Sequence, residues 1–221
     1  MTFALVFLAI IMATVIGWLL RQSLNTQPWD AKDPLENQPG RGVINADPAK
    51  VGLIAFIAVV TSLFALFLSA YLMRMQLGDW RPLAEPDLLW LNTAILVLAS
   101  VAFQVTRGAA SRDQPLTLKV GLVVGGVCTT LFLLGQLAAW QQLHASGYFM
   151  TGNPANAFFY LLTALHGLHL LGGMWVWGRT TMRLLTGADA QSVRLSVELC
   201  TVYWHYLLLV WIGLFALLLS T

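Results

Sequence analysis

Residues 156–178 read NAFFYLLTALHGLHLLGGMWVWG, a run of 23 positions without a single Asp, Glu, Lys or Arg. About 20 mostly apolar residues cross the roughly 30 Å hydrocarbon core of a bilayer as a helix. The run therefore reads as a membrane span. It carries two imidazoles, His166 and His169, three positions apart and so on one helix face.

The same reading repeats along the chain. Five further apolar segments of near-spanning length lie at 3–20, 51–74, 87–106, 118–140 and 196–220. Strands are excluded on physical grounds. An open sheet edge is left unsatisfied in lipid, and no alternating ten-residue pattern recurs. The expected fold is all-α, a polytopic membrane helix bundle of about six transmembrane helices. Of 221 residues, 58% are hydrophobic and 10% charged, against about 25% charged in a soluble domain. A net charge of +2 with no basic stripe gives no footing for nucleic acid. Cys128 and Cys200 sit in separate apolar runs and read as small buried hydrophobes.

The first segment lacks a signal peptide's marks. Met1, Thr2 and Phe3 bring no positive charge ahead of the apolar run, and Arg21 closes it without a small-residue cleavage site. It reads as a retained helix. The stretch 22–50, with Pro28, Pro34, Pro39, Pro48 and Gly40–Arg41–Gly42, breaks helices and lies outside the membrane. The chain thus divides into an N-terminal helix and loop, 1–50, and a five-helix bundle, 51–221.

Charge sets the orientation. Arg21, Lys32, Arg41 and Lys50, then Arg107, Arg112 and Lys119, then Arg179, Arg183 and Arg194 fall in loops on one side, ten of the twelve cations. Arg74 and Arg81 alone fall on the other. The positive-inside rule makes the ten-charge side cytoplasmic and sends both termini outward. Trp80, Trp90 and Trp140 stand at expected headgroup depth. Trp175, Trp177, Trp204 and Trp211 lie deeper. Gly121 and Gly125 form a GxxxG followed by Gly126, a signal of close helix approach that names no partner.

Ionisable groups inside a span are costly, so Glu198, His166, His169 and His205 stand out. At 1.5 Å per residue, His166 and His169 lie roughly 15 and 20 Å below the outer end of their segment, and His205 roughly 14 Å into the last one from the inner side. Glu198 lies one or two turns nearer the cytoplasm and shares a face with His205. These positions outline a polar patch on the inner half of the last two segments. It admits three readings: groups that fix packing, a seat for a lipid headgroup, or help for a proton passing to a partner. His166 and His169, three apart, could ligate a metal, but a transition-metal site needs three or four ligands and this cluster lacks the usual companions. Asn92, Thr93, Gln104, Gln136 and Tyr71 read as interhelical hydrogen-bonding residues.

His166–Gly167–Leu168–His169 followed by Gly172 resembles the HGLH helix of haem–copper oxidase subunit III. Glu198, then Tyr203–Trp204–His205, then Trp211 resembles that family's last helix. Leu89–Trp90–Leu91–Asn92–Thr93 and Ser69–Ala70–Tyr71–Leu72 resemble two earlier elements, in the same order and at similar spacing, so that the likeness covers 51–221. The resemblance implies a non-catalytic accessory subunit of a proton-pumping terminal oxidase; short loops and an N-terminus unlike a transit peptide point to a bacterial cytoplasmic membrane. Such a subunit has no cofactor of its own. Haem and copper reside in the partner subunits. It contacts catalytic subunit I, with subunit II and the others nearby, binds phospholipid and supports proton uptake. His166, His169, Glu198, Tyr203, Trp204 and His205 carry over as the lipid or polar patch. Two departures stand out. The family's first two helices are represented by one, and Val60 occupies the place of the family's buried Glu. The electron donor is read elsewhere, so the homologous subunit of a quinol oxidase or nitric-oxide reductase fits the same residues. A small transporter is the reading from another class, against which stands the absence of an internal repeat.

Overall fold

The computed structural model describes residues 47–82 and 87–220. The expected first span at 3–20 lies outside them. Among the described residues the regular structure is entirely helical: α1 (Pro48–Arg74), α2 (Leu88–Ser111), α3 (Pro115–Ala145), α4 (Pro154–Leu185) and α5 (Ala190–Leu219). All five are long and apolar enough to cross a membrane, as the five expected segments on these residues require.

All five helices outrun their apolar segments, because apolarity marks the hydrocarbon depth while local chemistry marks where a helix starts and stops. Pro115 and Pro154 open α3 and α4, where a missing N–H costs nothing. The Asn153 side chain caps α4 by accepting from Ala155 N–H at 3.2 Å. Glycines close the same two helices. Gly147 and Gly187 adopt φ of 85° and 99°. Behind them Tyr148 N–H donates to Leu143 O and Ala188 N–H to Arg183 O, each at 3.0 Å. This is the Schellman closure, which needs a left-handed residue. α2 ends the same way with Gln114 N–H on Ala109 O at 3.1 Å, but there Asp113 takes the left-handed position at φ 54°.

The chain forms two compact units, Met1–Leu66 and Phe67–Thr221. Within the second, α2 packs on α3 and α5, and α4 packs on α3 and α5. Glycines permit the closest approaches. A Cβ on Gly121 would fall 2.2 Å from Thr106 Oγ1, one on Gly125 2.9 Å from the Phe103 ring, and one on Gly135 2.1 Å from Asn92 Oδ1. The partner of the GxxxG is thus α2. Gly126 instead faces α4, where a Cβ would fall 2.0 Å from Trp177 Cζ2.

The centre of this unit is aromatic. Trp204 lies 4.4 Å from Phe103 and Trp211 4.9 Å from Phe132, ring centre to ring centre, and all four side chains are fully buried.

Candidate functional site

A buried indole N–H needs an acceptor, and one local device supplies it three times. A threonine hydroxyl in a helix donates to the carbonyl four residues back and keeps its lone pairs free. Thr93 donates to Leu89 O at 2.8 Å and accepts from Trp211 Nε1 at 2.9 Å. Thr129 donates to Gly125 O at 2.8 Å and accepts from Trp204 Nε1 at 2.9 Å. Thr163 donates to Phe159 O at 2.7 Å and accepts from Trp140 Nε1 at 3.1 Å. A fourth indole, Trp177, donates directly to Leu122 O at 2.9 Å. Trp204 and Trp211 therefore clip α5 to α3 and α2, while Trp140 and Trp177 clip α3 to α4. Tyr203 Oη adds a link from α5 to α4, donating to His169 O at 3.0 Å.

The ionisable candidates divide between two places. His166 and His169 belong to α4. His166 is fully buried, its ring 5.8 Å from Phe132 and 5.2 Å from Trp211. Neither of its nitrogens has a hydrogen-bond partner, and the same holds for the side-chain amide of buried Gln136. His169 Nδ1 lies 2.7 Å from Leu165 O, where it donates within its own helix.

Glu198 and His205 turn toward α2. Glu198 Oε1 accepts from Arg107 Nη2 at 3.4 Å, in a partly exposed ion pair. His205 Nε2 lies 3.0 Å from Gln104 Oε1, and its Nδ1 2.5 Å from Ser100 Oγ. Since an amide oxygen only accepts, Nε2 carries the proton and Nδ1 accepts from the Ser100 hydroxyl. Both nitrogens of this imidazole are thereby engaged. A signal for this seam exists in the sequence. Ser100, Gln104 and Arg107 recur at helical spacing on one face of α2, and Glu198 and His205 do so on α5. Gln104 and Arg107 were legible as a polar residue and as a topology charge. Ser100 is the one such spacing alone adds.

The arrangement can hold helices in register and present a polar seam at its edge. Among the described residues, no three His, Cys, Asp or Glu side chains gather in a way that could hold a metal ion.

The residues that form these clips and this seam lie inside a larger match. The sequence profile of the family described as cytochrome c oxidase subunit III matches residues 42–220. The chain belongs to the cytochrome c oxidase subunit III family. A probable cytochrome c oxidase subunit 3 of Mycobacterium leprae is 31% identical over 176 residues, covering 76% of this chain and 85% of the relative. One from Mycobacterium bovis is 33% identical over 166 residues, 71% of this chain and 77% of the relative. The cytochrome c oxidase subunit 3 of Synechocystis is 27% identical over 172 residues, 75% of this chain and 72% of the relative. Within this subunit III chain, the family-like Thr93, Tyr203, Trp204 and Trp211 are among the residues that join helices to one another.

Proposed function

We propose that the chain is the accessory, non-catalytic subunit of a proton-pumping haem–copper terminal oxidase. It stabilises catalytic subunit I, holds phospholipid and supports proton uptake, while haem and copper stay in the partner subunits. The carrying observation is the family match across 42–220, joined to the use its motif residues are put to. Trp204, Trp211 and Tyr203 are engaged between helices, and His205 is hydrogen-bonded at both ring nitrogens. These are the commitments of a scaffold.

The proposed setting is a bacterial cytoplasmic membrane, with both termini periplasmic. One feature of the second unit supports this orientation. The turn after α1 and the turn before α4 share one end, where Asn153 Nδ2 donates to Arg81 O at 2.5 Å and Trp80 and Phe158 both pack on Tyr71. That end is the cation-poor one, and there Arg74 is already paired with Asp79. Lipid binding finds support on α4, whose outward side chains Leu168, Leu171, Trp175 and Val176 are exposed and apolar. His166 and His169 are read as packing groups behind that face, and Glu198 and His205 as the polar patch.

The test is removal. Stripping the chain from the purified complex should leave the haem spectrum unchanged, while activity decays sooner during sustained turnover and proton uptake slows. Loss of haem along with the chain would sink the reading.

A further inference from the structure

Side chains exposed at mid-span distinguish lipid-facing helices from helices that face protein. Along α3 the exposed positions from 120 to 138 are apolar apart from Thr130, whose hydroxyl donates to Gly126 O at 2.9 Å. Along α4 the exposed positions from 161 to 176 are apolar or glycine. Both faces suit hydrocarbon. The seam between α2 and α5 does not, because Gln104 and His205 are both exposed there. Gln104 lies seven residues before the end of α2 and His205 lies mid-way along α5, roughly 10 Å and 20 Å from the nearest helix ends. Both are at hydrocarbon depth.

Their mutual bond leaves a remainder. Gln104 spends its Oε1 on His205, and its amide N–H₂ has no partner among the described residues. An amide donor turned to acyl chains is costly, whereas inside a protein contact it becomes a source of affinity. Around the pair, Val97, Leu98, Val101 and Val105 of α2 and Leu209 and Ile212 of α5 are exposed, an apolar surround for a polar centre. One or two turns toward the cation-rich end lies the Arg107–Glu198 ion pair, a second polar point on the same seam.

We infer that the α2–α5 seam is the docking face for a transmembrane helix of a partner subunit. That helix presents a hydrogen-bond acceptor, a carbonyl, hydroxyl or carboxylate oxygen, to Gln104 at the depth of His205. The inference rests on the proposed function, since it takes the chain to work inside an oxidase complex, and it specifies which face does the docking. The occupant is protein, and lipid covers the α4 face.

The test uses the intact complex in native membranes, with a photo-crosslinking amino acid placed beside the polar pair so that the pair itself is kept. Probes at Val101 and Leu209 should crosslink to another subunit several-fold more than probes at Leu168 and Leu171. Gln104→Leu should speed dissociation of the chain from the complex by about fivefold, the effect of one hydrogen bond. Gln104 is exposed, so the isolated chain should keep its helicity and melt only slightly earlier, through the loss of its bond to His205. Three results would overturn the inference: products at Val101 and Leu209 that contain only lipid, products that join only residues 1–66 of the same chain, or a dissociation rate unmoved by Gln104→Leu. If haem co-purifies while the protein crosslinks come from Leu168 and Leu171, the docking face is wrong and the accessory function stands. If no partner subunit co-purifies at all, the function fails first.

Discussion

The indole nitrogen of Trp211 lies 2.9 Å from the hydroxyl oxygen of Thr93, joining the last helix to α2 across 118 positions of sequence. Both residues fall in the stretches that resemble the subunit III family. Interhelical hydrogen bonds in membranes average about 0.6 kcal/mol and reach about 1.7. A double-mutant cycle of Trp211→Phe and Thr93→Val should therefore return a coupling energy of about 0.6 kcal/mol. Unfolding of the purified chain in mixed micelles measures it, and strict additivity would show that the bond contributes nothing.

Close packing through glycine gives a contrast within one protein. Gly126→Ala would put a methyl group 2.0 Å from the Trp177 ring. Displacing that ring also strains its bond to Leu122 O, so a loss of about 1–3 kcal/mol is expected. Nothing lies within 4 Å of the corresponding site at Gly172. There Gly172→Ala should be neutral or stabilising by up to about 1 kcal/mol. Melting temperatures of the two variants in the same detergent should separate in opposite directions.

How much of this could be read in advance follows from what each signal encodes. Spans were legible because hydrocarbon thickness sets a length that composition alone reports, and the HGLH and YWH stretches were legible by resemblance. The sides of the helices were harder. His166 and His205 look alike in sequence, yet one is sealed between Phe132 and Trp211 and the other is exposed beside Gln104. All-round apolarity gives a membrane helix little amphipathic pattern to orient it. The polar residues of the last two spans thus read as one patch, whereas Glu198 and His205 turn to α2 and the α4 histidines do not. The bonds of Trp204 and Trp211 were hidden for the same reason, since the threonine that receives each indole lies on another helix.

His166 offers a sharper case. Its two ring nitrogens are buried without partners in an aromatic setting. Replacing an unpaired buried polar group by an apolar one of similar shape is nearly neutral or stabilising. His166→Phe should leave the melting temperature unchanged or raise it. A drop corresponding to more than about 1 kcal/mol would mean that the imidazole makes a bond essential to the fold.

The hydrogen bond from Arg74 to Asp79, with the attraction of the guanidinium, holds the Asp79 carboxyl below the usual aspartate range. A carboxyl depressed in the folded state adds stability that is present above its unfolded value, about 3.9. That stability is lost as pH falls through the lowered folded value. The pair is on the surface, so the effect is small and screened by salt. Asp79→Asn should melt slightly earlier than the parent at pH 7, and the gap should close as the solution is acidified below the ordinary aspartate range. A gap that persists in strong acid would assign the difference to something other than this charge.

The central claim is that the chain works inside an oxidase without holding its redox centres, and one purification tests it most directly. The chain is tagged, extracted from native membranes in mild detergent and isolated. A reduced-minus-oxidised spectrum is then recorded alongside mass spectrometry of the co-purified chains. The account predicts a haem signal that arrives with a large catalytic subunit, and an unchanged haem spectrum when Glu198→Gln or His205→Leu weakens the association. The companion chains would also tell cytochrome c from quinol or nitric-oxide chemistry. A colourless, solitary protein, under conditions that keep other respiratory complexes whole, would contradict the account and bring the transporter reading forward.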